Sequence, residues 1–118
     1  MSWTIWHNPR CSKSRQTLQL LQAHGITPTV RLYLDDPPSR DELAKALTSL
    51  GLDAGEVFRS KDALVKELGL KNSTLGEGQL IELMVQHPRL IERPIVLGDG
   101  AAVIGRPPEN VLGLVKPD

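Results

Sequence analysis

The sequence predicts an α/β domain with a mixed four-stranded sheet, built from a β-α-β unit early in the chain and a β-β-α unit late in it. Three observations predict it. Short β-rich runs cluster near the two ends, at Ser2–Trp6 and Thr29–Leu34 and again at Pro94–Leu97 and Ala101–Ile104. The segment between the first two runs has helical spacing. The middle, about residues 37–90, carries the 3.6-residue period almost throughout.

The elements follow in order. Ser2–Trp6 reads as a first strand, and His7-Asn8-Pro9 as a turn. In the next run, SKSRQTLQLLQAHG, Leu18 and Leu21 share one helical face, and Gly25 supplies a left-handed stop. TVRLYL, Thr29–Leu34, alternates and reads as a second strand until Asp35-Asp36-Pro37-Pro38 breaks it. Ser39 and Glu42 have capping-box spacing ahead of Leu43, Ala46, Leu47 and Leu50, and Gly51 ends that helix. A shorter helix is expected around Asp62–Leu68, stopped by Gly69, and another from about Glu77 to Gln86, before Pro88. PIVL and AAVI, joined by Gly98-Asp99-Gly100, read as a hairpin, because Asp-Gly suits the positive φ of a tight turn. Pro107 and Pro108 can open a last helix carrying Val111, Leu112 and Val115. A βαβ crossover makes the first two strands parallel, and the hairpin adds two antiparallel ones. The expected architecture is thioredoxin-like: one domain over 1–118, with a helical insertion at about 37–90.

Composition bounds the function. A chain of 118 residues can bury a core without disulfides or a structural metal. Its formal charge balances to zero, so neither nucleic acid nor an anionic membrane is an expected partner. A single cysteine excludes an internal disulfide and a multi-cysteine zinc site. His7, His24 and His87 lack ligand spacing with one another, so no metal is expected. The opening residues hold no signal-peptide core, and a soluble protein of the reducing cytoplasm is expected.

Cys11 is that single cysteine, and it stands where a strand gives way to a helix. The first N–H groups of a helix lack internal acceptors and the dipole is positive there, so a thiolate is favoured over a thiol. Arg15, at i+4, can reach back over the same face. Ser12 and Ser14 offer hydroxyls, and Arg10 and Lys13 add positive potential. Such surroundings lower thiol pKa values generally. Two readings stand side by side: a small buried hydrophobe, which prefers apolar neighbours, and a reactive thiolate. His7 is open in the same way, as a turn histidine at a strand end or as a neighbour tuning the thiol. The position expected of a second thiol in C-x-x-C is Ser14, so any redox cycle needs an external thiol.

The run His7-Asn8-Pro9-Arg10-Cys11-Ser12-Lys13-Ser14-Arg15 resembles the H-N-P-x-C-x-x-S-R signature of the ArsC-like, glutaredoxin-dependent arsenate reductases. The similarity continues through Tyr33-Leu34, Pro37-Pro38, Glu67-Leu68-Gly69-Leu70, Leu80-Ile81 and Gln86-His87-Pro88. It is strong again at Arg93-Pro94-Ile95-Val96 and Gly105-Arg106-Pro107-Pro108-Glu109. The resemblance implies a thioredoxin-like fold with a helical insertion. It implies Cys11 as nucleophile and Arg59, Arg93 and Arg106 as holders of the oxyanion, with His7, Ser14 and Arg15 stabilising the thiolate. The chain has eight arginines, and without the resemblance each reads first as solvated surface. Pro94 otherwise reads as a strand-entry proline; the resemblance places it opposite the cysteine, with a cis Arg93–Pro94 bond.

The implied activity is reduction of arsenate to arsenite, with glutathione as co-substrate, glutaredoxin as partner and no tightly bound cofactor. Guanidinium forks match pairs of oxyanion oxygens and stay charged at working pH. Two other readings remain open. One is a thiol-dependent or glutathione-using reductase of the same family with a different substrate, since the chain stops soon after its last expected helix while better-known members extend further. The other is a redox-sensing transcriptional regulator that binds RNA polymerase, against which Ser14 speaks because those commonly carry C-x-x-C.

Overall fold

In the computed structural model of the chain, the described residues are 3–70, 75–98 and 100–115. They fall into two compact units, Met1–Asp36 with Arg93–Asp118, and Pro37–Glu92.

The first unit holds the sheet, in the order β2-β1-β3-β4. Strand β1, Thr4–Trp6, runs parallel to β2, Thr29–Arg31, with Ile5 opposite Val30. On its other side it pairs antiparallel with β3, Ile95–Leu97, with Ile5 opposite Val96. Strand β4, Ala102–Ile104, closes the hairpin with β3. This is the mixed four-stranded, thioredoxin-like arrangement expected from the element order. Ser2 and Asp99 lie outside the described residues. Beside Asp99, the Gly98 N–H donates to the Ala101 carbonyl at 2.8 Å, and Gly100 takes a φ of 76°.

Because side chains alternate across a strand, Ile5, Val96 and Val103 line one face of the sheet. Helix α1, Ser12–Ala23, lies against that face through Leu21. Ile5, Leu21, Val96 and Val111 are fully buried together, with Leu18, Ile26 and Leu114 packed around them. Burying such side chains contributes roughly 1.5–3 kcal/mol each. That packing holds the N-terminus of α1, and Cys11 with it, at the end of β1.

Two expectations in this unit change. The second strand is three residues long rather than six. β1 offers only three partners, and the His7 N–H closes the pairing on the Arg31 carbonyl at 2.8 Å before Asn8-Pro9 leads the chain away. Beyond Arg31 the chain turns, with the Asp35 and Asp36 N–H groups both reaching the Leu32 carbonyl. The alternation was real, but its apolar side faces outward: Val30, Leu32 and Leu34 are more than two-fifths exposed while Tyr33 is buried. The last helix is a 3-10 helix, Pro108–Gly113. Its i→i+3 bonds run from Asn110 to Pro107 and from Leu114 to Val111. Val111 points into the core, which leaves Leu112 outside.

The second unit is helical. α2, Arg40–Leu50, starts with the expected box: Ser39 Oγ accepts the Glu42 N–H at 3.1 Å, and Glu42 Oε1 accepts the Ser39 N–H at 2.9 Å. It ends at Gly51, whose φ of 69° is the left-handed cap. α3, Ala54–Val57, was not expected separately, although Asp53 and Glu56 repeat the same box in the sequence. The Glu77 carboxylate accepts the first N–H of α3, that of Ala54, at 2.9 and 3.1 Å. α4, Ala63–Glu67, is capped by Asp62. α5, Glu77–Gln86, matches its expected bounds, and a 3-10 turn, Pro88–Leu90, follows. α5 is the helix on which α2, α3 and that turn pack, and a Phe58–Ile91 bridge ties the segment after α3 to the end of the unit. No described helix is long and apolar enough to cross a membrane.

Candidate active site

Cys11 is the N-cap of α1, extended at φ −93° and ψ 121°, and half-buried. Its backbone is tied into the turn before the helix: the Cys11 N–H donates to the Asn8 carbonyl at 2.9 Å, and the Arg15 N–H to the Cys11 carbonyl at 3.0 Å. Sγ makes no strict capping hydrogen bond. Helix geometry nonetheless aims the free N–H groups of the first turn toward it, and the first turn holds no acidic residue.

Burial pushes the thiol up. The N–H groups of Ser14 and Lys13, with the charge and hydrogen bond of Arg93, outweigh it, so the Cys11 pKa lies below its ordinary value. A large, diffuse thiolate responds to such donors at distances where a neutral thiol would not, so the electrostatic balance carries more weight here than the missing short bond. Arg106 adds a second guanidinium, with Nη1 3.9 Å from Sγ, the far edge of an N–H···S contact. Arg93 is half-buried and Arg106 exposed. The Arg93–Pro94 peptide is cis, as expected, and so is Arg106–Pro107. Pro94 is buried, and its carbonyl accepts the Gly105 N–H at 2.9 Å, which ties the two arginine-bearing segments together.

Ser14 is buried, and its hydroxyl is not turned to the sulfur. Oγ lies 2.6 Å from His7 Nδ1 and accepts the Asn8 N–H at 3.0 Å. Ser14 therefore reaches Sγ through its backbone N–H, while its side chain pins the His7-Asn8 turn onto the first turn of the helix. His7 is buried and its pKa is lowered, first by burial and then by the Arg15 charge. It is a neutral imidazole at neutral pH and acts through its hydrogen bond rather than through charge.

Arg15 makes a contact that the spacing did not suggest. Its Nη1 donates to the Pro9 carbonyl at 2.8 Å, on the exposed side of the turn. That carbonyl lies before the helix ladder, and its lone pairs draw the guanidinium to the turn that leads into Cys11. The charge is felt by His7, while the sulfur is served by Arg93.

Arg59 belongs to the second unit, where it is held in an ionic network. Nη1 donates to Asp62 Oδ2 at 3.1 Å and to the Arg89 carbonyl at 3.0 Å, and Nε is 4.0 Å from Glu92 Oε1. Asp62 is also held by Arg89 Nη2, at 2.7 Å. Sequence reasoning missed Asp62 and Arg89 in this role; the i,i+3 spacing of Arg59 and Asp62 was the available signal.

The chain is also similar to known proteins. Residues 6–114 match the ArsC family. An Escherichia coli K12 protein, the uncharacterized YfgD, is 53% identical over 112 residues, 94% of each chain. An arsenate reductase of Neisseria meningitidis is 51% identical over 108 residues, covering 91% of this chain and 92% of its own. The solved structure of an arsenate reductase from Vibrio cholerae superposes with a TM-score of 0.91 at 50% identity, over 96% of this chain and 97% of that one. A family match across nearly the whole chain, with relatives at half identity, makes this chain a member of the ArsC family.

Proposed function

We propose that the protein reduces arsenate to arsenite through the Cys11 thiolate, with glutathione and glutaredoxin supplying the two electrons. The observation that carries the reading is a lone cysteine at a helix N-terminus, its pKa lowered, with Arg93 bonded to it and Arg106 Nη1 3.9 Å away. Two guanidinium groups at one sulfur offset the repulsion between an anionic nucleophile and an anionic substrate. The names borne by the relatives supply the arsenic.

The Cys11 thiolate attacks arsenic(V) and forms an S–As bond, and hydroxide leaves as water after protonation. Glutathione forms a second S–As bond and displaces another water. The glutaredoxin thiolate then attacks the glutathione sulfur. That S–As bond breaks with its electron pair left on arsenic, which becomes arsenic(III), and a glutaredoxin–glutathione disulfide departs. Hydrolysis of the Cys11 S–As bond releases arsenite and returns the thiolate. Arg93 and Arg106 hold the oxyanion; Ser14 and Lys13 N–H groups stabilise the sulfur; His7 and Arg15 brace the turn that carries it. Pro94 shapes the segment that presents Arg93. This cycle has no need of a tightly bound cofactor, and it suits the reducing cytoplasm, where a lone thiol stays free.

The test is arsenite formation from arsenate with glutathione and glutaredoxin, compared with thioredoxin alone. Wild type turns over with glutaredoxin and Cys11→Ser does not. Turnover by Cys11→Ser, or equal turnover with thioredoxin alone, rejects the scheme.

A further inference from the structure

Thr17 is a fully buried polar side chain that the mechanism above does not use. It lies in α1, on the turn below the one that carries Lys13 and Ser14. Its hydroxyl has one proton and two acceptors: the Lys13 carbonyl at 2.8 Å and the Gly105 carbonyl at 3.2 Å. The first bond is the ordinary back-bond of a helical threonine. The second crosses the core to a residue 88 positions away in sequence and ends on the peptide group from which Arg106 springs.

Gly105 meets Thr17 closely. A Cβ at Gly105 would come within 2.8 Å of Thr17 Cγ2, nearer still to Oγ1, and 3.0 Å from Pro94 Cγ. The same residue donates its N–H to the Pro94 carbonyl at 2.9 Å. Thr17, Gly105 and Pro94 thus form one welded point. From it emerge the three groups that meet at the sulfur: the α1 N-terminus with Cys11, Arg93 just before Pro94, and Arg106 just after Gly105. The other side of Arg106 is tied back by Asn110, whose Nδ2 donates to the Arg106 carbonyl at 3.0 Å and lies 3.4 Å from the Ile104 carbonyl.

We infer that Thr17 is a positioning residue for the anion site: its hydroxyl bond to the Gly105 carbonyl sets the Arg106 backbone so that the guanidinium stands beside Cys11. The inference rests on the oxyanion role given to Arg106 above, and it sharpens that role by naming what holds the arginine in place. A merely space-filling threonine would tolerate valine, which has the same shape. A positioning threonine would tolerate serine, which keeps the hydroxyl.

The experiment reads the charge at the sulfur without using arsenate. Cys11 is alkylated by anionic iodoacetate and by neutral iodoacetamide, and the ratio of the two rates reports nearby positive potential. One unit charge about 4 Å away in water-like surroundings changes such a ratio about five-fold. Arg106→Ala therefore lowers the ratio about five-fold and sets the floor. Thr17→Val falls most of the way to that floor, and Thr17→Ser stays near wild type. Any rise in the pH midpoint of alkylation when the Arg106 charge moves away leaves the ratio readable, because both reagents draw on the same thiolate fraction. Should Thr17→Val not fold by circular dichroism, Thr17→Ala carries the same expectation. A wild-type ratio in Thr17→Val, or a loss in Thr17→Ser as large as in Thr17→Val, overturns the inference. Absence of arsenite formation by wild type would instead strike the proposed substrate and leave this ratio readable.

Discussion

Asp62→Asn removes one negative charge from between two guanidinium groups and changes almost nothing else. The Asp62 side chain is 6% exposed, and it accepts from Arg89 Nη2 at 2.7 Å, Arg59 Nη1 at 3.1 Å and the Leu64 N–H at 2.9 Å. Asparagine keeps an oxygen for Leu64, so the cap of α4 survives. The same Oδ1 receives Arg89 Nη2, so what is lost is the Oδ2 bond from Arg59 and the negative charge that faces both guanidinium groups. Breaking a fully buried pair costs about 3–5 kcal/mol. Here Arg89 is 52% exposed and Arg59 26%, so solvent takes up much of the freed charge. The expected loss is about 1–2 kcal/mol at pH 7. Burial raises the Asp62 pKa, but Leu64, Arg89 and Arg59 more than reverse this, and the net shift is downward. A carboxylate with a depressed folded pKa adds stability that is complete above its unfolded value, about 3.9, and fades as pH falls through the folded one. The gap between wild type and variant is therefore level from pH 7 to about 5 and narrows below about 4. Urea unfolding at pH 7, 5 and 3.5 measures it. A gap as wide at pH 3.5 as at pH 7, or none at pH 7, refutes the charge-pair reasoning.

Arg93→Met takes away both the charge and the hydrogen bond that hold the Cys11 pKa down, and burial then acts less opposed. The pH profile of iodoacetamide alkylation moves upward, with slower reaction near neutrality and convergence with wild type in alkali; superimposable profiles would contradict the assignment. Leu21→Ala opens a cavity in the cluster with Ile5, Val96 and Val111. It should cost about 2–5 kcal/mol in urea unfolding, a large part of the roughly 5–15 kcal/mol typical of a domain. A loss under 1 kcal/mol would mean α1 is not anchored there. Ser39→Ala removes the acceptor of the Glu42 N–H and should cost about 1 kcal/mol; a neutral change would show the box adds nothing to α2.

What was legible in the sequence was what short-range physics decides. A cap acts within four residues, so Ser39 with Glu42, and Cys11 ahead of its helix, could be read where they stand. The Asp53–Glu56 box carries the same signal, but the four helical residues after it are too few to show an apolar period. The alternation of Thr29–Leu34 misled because strand length depends on the partner as well as on the strand. β1 has three residues to offer, and no local pattern in β2 reports that. For Arg15, i+4 spacing reports the shared helical turn with Cys11 but not the bond to the Pro9 carbonyl. Arg106 is 95 residues from Cys11, and Thr17 is 88 from Gly105. Nothing in the composition or spacing around either arginine marks it. Resemblance named the arginines, and only coordinates name the threonine.

That division between local and distant residues bears on how such a site can change. The acidity of Cys11 comes chiefly from its own helix turn and from Arg93, whereas the second cation arrives on a separate strand end. The first part belongs to thiol chemistry of any kind, because free N–H groups stabilise a thiolate whatever it attacks. The second part selects what approaches, since a guanidinium held at 3.9 Å favours an anion over a neutral electrophile. A chain that kept His7–Arg15 and Arg93 and lost Arg106 would keep a reactive sulfur with one guanidinium beside it in place of two. On the proposed reading, the preference of this chain for an oxyanion rests on the Gly105-Arg106 corner and the buried hydroxyl beside it as well as on the cysteine segment, where the sequence is easiest to recognise.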